Sequence, residues 1–295
     1  AQNAVLGIVY WSFSWKAGKG GRWNAQALRG MLGYGGRSTL YNFTTYAASK
    51  VDTLIVGRFA TQSAGGWTQT GLYDRAVSLM GLPISLLGKL SDSVLFSGMS
   101  KMHDQPSALR RTVSQATQWL SLAVFPSTIW MYGSAEDLTV LYLGGSFAEA
   151  APIAAILFLG IPFRSLIKVG DAVVRAQDAL WSGLAWKGIF LLGVSTAAWL
   201  GMREGWGVQG VAWGVLAATL VQFVGLAWLV KRTCGMTGLW LRSLFPGLAL
   251  AFAFGLAGWL SNTLLGEAAE WTGRVARISA SGLGGVLFSL AVLKW

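Results

Sequence analysis

The chain has a single cysteine, Cys234, and a single histidine, His103, among its 295 residues. One thiol excludes an intramolecular disulfide framework, a cysteine-rich zinc site and an iron–sulfur cluster. No cofactor is expected. His103 stands beside Lys101 and Asp104 in a polar stretch, the setting of a solvated loop residue rather than of a ligand or general base. Charge is scarce as well. Only 12% of residues are Asp, Glu, Lys or Arg, whereas a soluble domain usually carries about 25%. With 54% apolar residues, intrinsic disorder is excluded too. No basic segment precedes the first apolar run, 4–13, as one would in a secretory signal. That run reads as the tail of a helix that begins upstream, so the chain is expected to be part of a longer polypeptide.

What the sequence does have is long apolar stretches separated by short polar breaks. A bilayer core of roughly 30 Å takes about 20 apolar residues per helix. Eight spans are expected: 31–57, 71–99, 113–133, 152–177, 179–201, 208–230, 241–262 and 275–293. The fold class is therefore all-α, a polytopic membrane protein. An apolar piece at 138–143 is too short to span and reads as a re-entrant or surface-lying turn.

Charge sets the orientation. Acid is the scarcer sign, with 12 Asp+Glu against 23 Lys+Arg and a net charge of +11. If the connector holding Lys16, Lys19, Arg22 and Arg29 is cytoplasmic, the inner loops also take Lys101, Arg110, Arg111, Arg175, Lys231, Arg232, Arg242 and Lys294. Arg58, Arg203, Arg274 and Arg277 then fall outside, among Glu136, Asp137, Glu149, Glu204, Glu267 and Glu270. This is the bias expected of a polytopic membrane protein with its short basic loops in the cytoplasm.

Charges within spans are costly and mark pathways or pairs. On the first span Arg37, Tyr41, Thr44, Ala48 and Asp52 form one stripe at helical spacing, a polar face that must meet protein or water. The second span aligns Asp74, Ser78, Gly81, Ser85, Lys89 and Asp92, with Arg75 at the margin. The fourth aligns Arg164, Lys168, Asp171 and Arg175. Depth places Arg37, Lys89, Arg164 and Lys168 in the inner half or near mid-membrane, a cationic cluster open to an anion from inside. Asp52, Asp74, Arg75 and Asp92 are candidates for ion coupling or pairing. Pro83 and Pro162 each remove a backbone donor and are candidate hinges.

The last four spans are rich in Leu, Ala, Gly and Trp and are assigned to packing and lipid contact. Small residues such as Gly247 and Gly255 let helices approach closely, and tryptophans near span ends, Trp181 and Trp206 among them, serve as interfacial anchors. Trp186 and Trp213 are weaker candidates for stacking on a sugar.

Several motifs share an order and spacing. Tyr41-Asn42-Phe43 leads to Lys50-Val51-Asp52-Thr53-Leu54-Ile55-Val56-Gly57-Arg58-Phe59. Gly71-Leu72-Tyr73-Asp74-Arg75-Ala76 follows, then Leu82-Pro83-Ile84-Ser85 and Ser93-Val94-Leu95-Phe96. Gly144-Gly145-Ser146-Phe147-Ala148-Glu149-Ala150-Ala151-Pro152-Ile153 completes the set. Together they resemble the oligosaccharide and polysaccharide flippases of the multidrug/oligosaccharidyl-lipid/polysaccharide exporter superfamily, nearest the lipopolysaccharide and colanic-acid exporters. Asp74 stands where that family favours Ser, and Phe147 where it favours Trp.

The resemblance implies a transporter rather than an enzyme, working by alternating access in the bacterial inner membrane. It implies flipping of an undecaprenyl-diphosphate-linked oligosaccharide to the outer leaflet, with the cationic cluster meeting the diphosphate. Family members have two lobes. The expected organisation is thus a helix end and connector at 1–30, a six-helix transporter lobe at 31–230 and two added helices at 231–295. Expected partners are the lipid-linked oligosaccharide, membrane lipids, an N-terminal lobe of the same protein and other polysaccharide-assembly proteins, with no nucleic acid. The alternatives are a multidrug antiporter of the same superfamily, which the basic cluster disfavours, and a membrane glycan polymerase or ligase. The latter would need acidic or histidine groups gathered at an outer loop.

Overall fold

The computed structural model describes residues 25–60, 66–90, 99, 106–235, 242–265 and 282. Among these the chain is helical throughout, without strands: α1 (Ala25–Ala48), α2 (Val51–Ala60), α3 (Gly66–Leu90), α4 (Pro106–Gly133), α5 (Ala135–Leu143), a 3₁₀ turn (Gly145–Ala150), α6 (Ala151–Phe158), α7 (Ile161–Ala176), α8 (Leu180–Arg203), α9 (Gly207–Cys234) and α10 (Phe245–Leu265). The eighth expected span, 275–293, lies outside the described residues apart from Gly282. The chain divides into two compact units, Ala1–Thr39 and Leu40–Trp295. The second contains everything described below except Arg37.

Two expected spans are broken. The first stops at Ala48 and restarts at Val51. Ser49 Oγ donates to the Tyr46 carbonyl at 2.7 Å, and Asp52 Oδ1 accepts the Thr53 N–H at 2.8 Å. Such local side-chain bonds offer the backbone an alternative to the helical ladder. The fourth span breaks between Phe158 and Ile161, and its halves are bent by 45°. Pro162 sits in the first turn of α7, beside this bend, because proline has no N–H to give the preceding turn. Pro83 lies inside the continuous helix α3.

By length and apolarity, α8 and α9 each suffice to cross a membrane, and residues 145–158 and α7 suffice together if the bent pair is taken as one span. Helices α1, α3 and α4 have 24, 25 and 28 residues, enough for roughly 30 Å, and polar faces are expected on the spans that include α1 and α3. The 138–143 piece is the helix α5, only 9 residues long.

The packing sets up the site. Helices α8 and α9 lie against each other, α10 against α4, and α7 contacts both α4 and α9. Helix α2 packs on α3 and α8, and α3 reaches α6 and α7. The main core joins Val56, Tyr73, Met80, Phe158, Val194 and Val215. A second cluster joins Leu109, Val113, Val169, Val173 and Val230. Gly247 does what its size suggests, since a Cβ there would lie 2.5 Å from the Ser121 carbonyl oxygen on α4. Large apolar side chains point away from these cores: Phe43, Tyr46, Leu54, Leu192, Val224 and Phe252 are exposed, as suits a surface solvated by acyl chains rather than water. Cation–π pairs mark the C-terminal ends of α8 and α9. Arg203 stands 4.7 Å from the Trp199 ring and Arg232 stands 5.5 Å from the Trp228 ring.

Candidate functional site

Two buried carboxylates organise the polar interior of the second unit. Asp52, 4% exposed, stands in the first turn of α2 just past the break. While Oδ1 caps its own helix, Oδ2 accepts the Tyr73 hydroxyl from α3 at 2.8 Å. The half-buried Arg164 of α7 interacts electrostatically with both Asp52 and Tyr73. A carboxylate withdrawn from water is tolerated only when hydrogen-bonded and balanced by opposite charge. Asp52 has both.

Asp171 is the second carboxylate, 6% exposed. It lies seven residues beyond Arg164 on the same face of α7, about 10 Å along the axis. Its Oδ1 accepts the Tyr41 hydroxyl of α1 at 2.6 Å, and its Oδ2 accepts from Lys187 Nζ of α8 at 2.9 Å. The Lys187 ammonium, only 3% exposed, also stands 5.4 Å from the centroid of the Tyr41 ring. Three helices therefore meet in one hydrogen-bonded ion pair. Their approach depends on Gly183, one turn before Lys187. A Cβ there would fall 2.6 Å from Val174 Cγ1 and 2.9 Å from Tyr41 Cε2.

Lys168 lies between these two constellations in the α7 sequence, one turn from Arg164 and one from Asp171. It is half-buried and, among the described residues, has no hydrogen-bond or ion-pair partner. Arg175, one turn further on, donates Nε to the Asp171 carbonyl oxygen at 3.3 Å.

The structure thus brings together part of the expected set. Arg164 and Asp52, expected at different depths, are within electrostatic reach of each other, and Lys168 shares the face of α7 that carries Arg164. Asp74 is half-buried and Arg75 exposed on α3, and neither forms an ion pair among the described residues. Arg37 belongs to the first unit, where its Nε donates to the Gly33 carbonyl at 3.2 Å. Asp92 and the side chain of Lys89 lie outside the described residues. Trp186 packs where Gly225 lacks a side chain, its ring carbons filling the place of a Cβ.

Lys187 was not among the expected site residues, because the span around it is otherwise apolar and reads as packing. The signal was present: one charge seven residues inside a spanning helix is itself a mark of a pathway or a pair. Tyr73 was visible only as part of a motif, with no sign that its hydroxyl would hold Asp52.

A sequence model of the family described as polysaccharide biosynthesis protein matches residues 1–152. No curated protein sequence matches the chain. Among solved structures, the chain is similar to the lipid II flippase MurJ in an inward closed conformation. The TM-score is 0.66 at 16% identity, covering 85% of this chain and 52% of that one. The chain thus spans about half the length of that flippase. Fold and family together bear out the resemblance read from the motifs and the all-α, multi-pass membrane class.

Proposed function

The chain belongs to the polysaccharide biosynthesis protein family, and from that premise we propose that it carries an undecaprenyl-diphosphate-linked oligosaccharide from the cytoplasmic to the outer leaflet of the bacterial inner membrane. The observation that carries this reading is the basic face of α7. Arg164 and Lys168 stand there within a membrane-embedded bundle, and among the described residues Lys168 has no counter-charge. A diphosphate cannot enter hydrocarbon without cations to replace its water. Arginine meets phosphate with a planar fork of donors, and lysine meets it as a point charge.

The two acid–tyrosine constellations divide the work. Asp52 with Tyr73 holds Arg164 near the break in the first span, and Asp171 with Tyr41 neutralises Lys187. Both carboxylates are engaged, which disfavours a cation-carrying antiporter because the acids are not free to receive a cargo cation. Lys168 then supplies a charge that no described residue pairs. Lys89 of α3 is a further proposed cation, and Arg37 of the first unit is tested separately by substitution. Alternating access would turn on the breaks and prolines of the spanning helices, with Pro162 beside the 45° bend and Pro83 within α3. An N-terminal lobe of the same protein and other polysaccharide-assembly proteins are the proposed partners.

The reading is tested by reconstituting the purified chain into vesicles containing undecaprenyl-diphosphate-linked oligosaccharide. The assay follows the fraction of glycan accessible to an impermeant oxidant. Protein-dependent movement between leaflets supports the proposal. Chemical conversion of the glycan without movement would instead indicate a membrane polymerase or ligase.

A further inference from the structure

A trough at one end of the second unit has the chemistry of a saccharide site. Helices α3, α6 and α9 begin at this end of the second unit and α4 ends there. The charge bias of the loops makes it the outer end. Two adjoining cavities of about 510 and 430 Å³ share Glu149 and Pro152 in their walls, within the size range of small-molecule sites. The first is lined by Tyr132 and Glu136, and the second by Trp206, Gln69 and Gln209.

Trp206 is the central feature. It is 68% exposed at the tight turn between α8 and α9. Gly205 and Gly207 on either side adopt φ of +78° and +62°, values that glycine takes without steric cost. The turn lifts a large aromatic face clear of its own neighbours. Gln69, Gln209 and Glu149 are all exposed and, among the described residues, make no internal hydrogen bond. Amides that both donate and accept, a carboxylate that accepts, and an aromatic face suited to the apolar face of a sugar ring form one set. No lysine or arginine lines either cavity, and two glutamates do. A phosphate group would be repelled here. A hydroxyl-rich, uncharged ring would not.

We propose that this trough binds the saccharide portion of the cargo on the outer side, apart from the diphosphate. The inference rests on the reading above that the cargo is a lipid-linked glycan, and adds a second, chemically distinct subsite. It is tested by calorimetric titration of the purified full chain with the oligosaccharide released by mild acid from the host's lipid-linked glycan, with pyrophosphate as competitor. The expected result is binding by wild type, at least a tenfold loss in Trp206→Ala and in Gln209→Ala, and affinity within threefold of wild type in Trp206→Phe. Pyrophosphate should not displace the sugar, and exposed Trp206 should be replaceable without a change in melting temperature. Absence of binding to wild type, equal affinity in Trp206→Ala, or displacement by pyrophosphate would each overturn the proposal. Leaflet-exchange assays on the same preparations separate the two readings. Glycan movement without oligosaccharide binding defeats the trough alone, whereas binding lost with Trp206 but no movement defeats the transport reading alone.

Discussion

The Lys187 ammonium of α8 and the Asp171 carboxylate of α7 meet at 2.9 Å with both residues almost fully buried. The Tyr41 hydroxyl completes the carboxylate's shell from a third helix. Each charge makes the other tolerable in a medium that would reject either alone. Removing one partner of a buried pair typically costs about 3–5 kcal/mol, whereas replacing both can be neutral. Asp171→Asn and Lys187→Met are therefore each expected to lower thermal stability in detergent strongly. The double variant should regain more than half of the loss. Additive losses in a double-mutant cycle would show that the pair is not coupled.

Tyr73→Phe removes the hydroxyl that holds Asp52 Oδ2 and leaves the carboxylate short of one donor. A buried acceptor deprived of its partner costs about 1–3 kcal/mol. The expected outcome is a moderate fall in melting temperature and a larger one in Arg164→Leu, which also removes the neighbouring charge. Equal stability of wild type and both variants would contradict the role assigned to Asp52.

Gly183→Val tests the close approach of α8 to Tyr41. The added carbons have no room beside Val174 Cγ1 and Tyr41 Cε2, and overpacking typically costs about 1–3 kcal/mol. Loss of stability should come with loss of the Tyr41–Asp171–Lys187 arrangement, so Gly183→Val and Lys187→Met combined should cost less than their sum. Thermal denaturation of the three proteins provides the comparison.

Much of the fold was legible because bilayer thickness and hydropathy constrain helices directly. The expected spans 113–133, 179–201 and 208–230 correspond to α4, α8 and α9, each a little longer than expected, and the short 138–143 piece to α5. The breaks at Ser49–Lys50 and Leu159–Gly160 were not legible, since hydropathy averages over a window and does not register a local change in backbone bonding. At the site, the shared face of Arg164, Lys168 and Asp171 followed from helical spacing. Which acid neutralises which base did not. Lys187 pairs with Asp171 across 16 residues and Tyr41 reaches it across 130, contacts set by helix packing rather than by any local pattern.

Lys168 carries the central claim, because it is the half-buried cation of α7 that has no partner among the described residues. Leaflet exchange of undecaprenyl-diphosphate-linked oligosaccharide should be compared in vesicles holding wild type, Lys168→Ala or Lys168→Arg. Losing an interaction of about 1.4 kcal/mol is a tenfold effect. The expected result is therefore at least a tenfold slower exchange in Lys168→Ala at unchanged melting temperature, with most of the rate restored in Lys168→Arg. Wild-type exchange in Lys168→Ala, and equally in Arg37→Ala, would contradict a cationic path for the diphosphate.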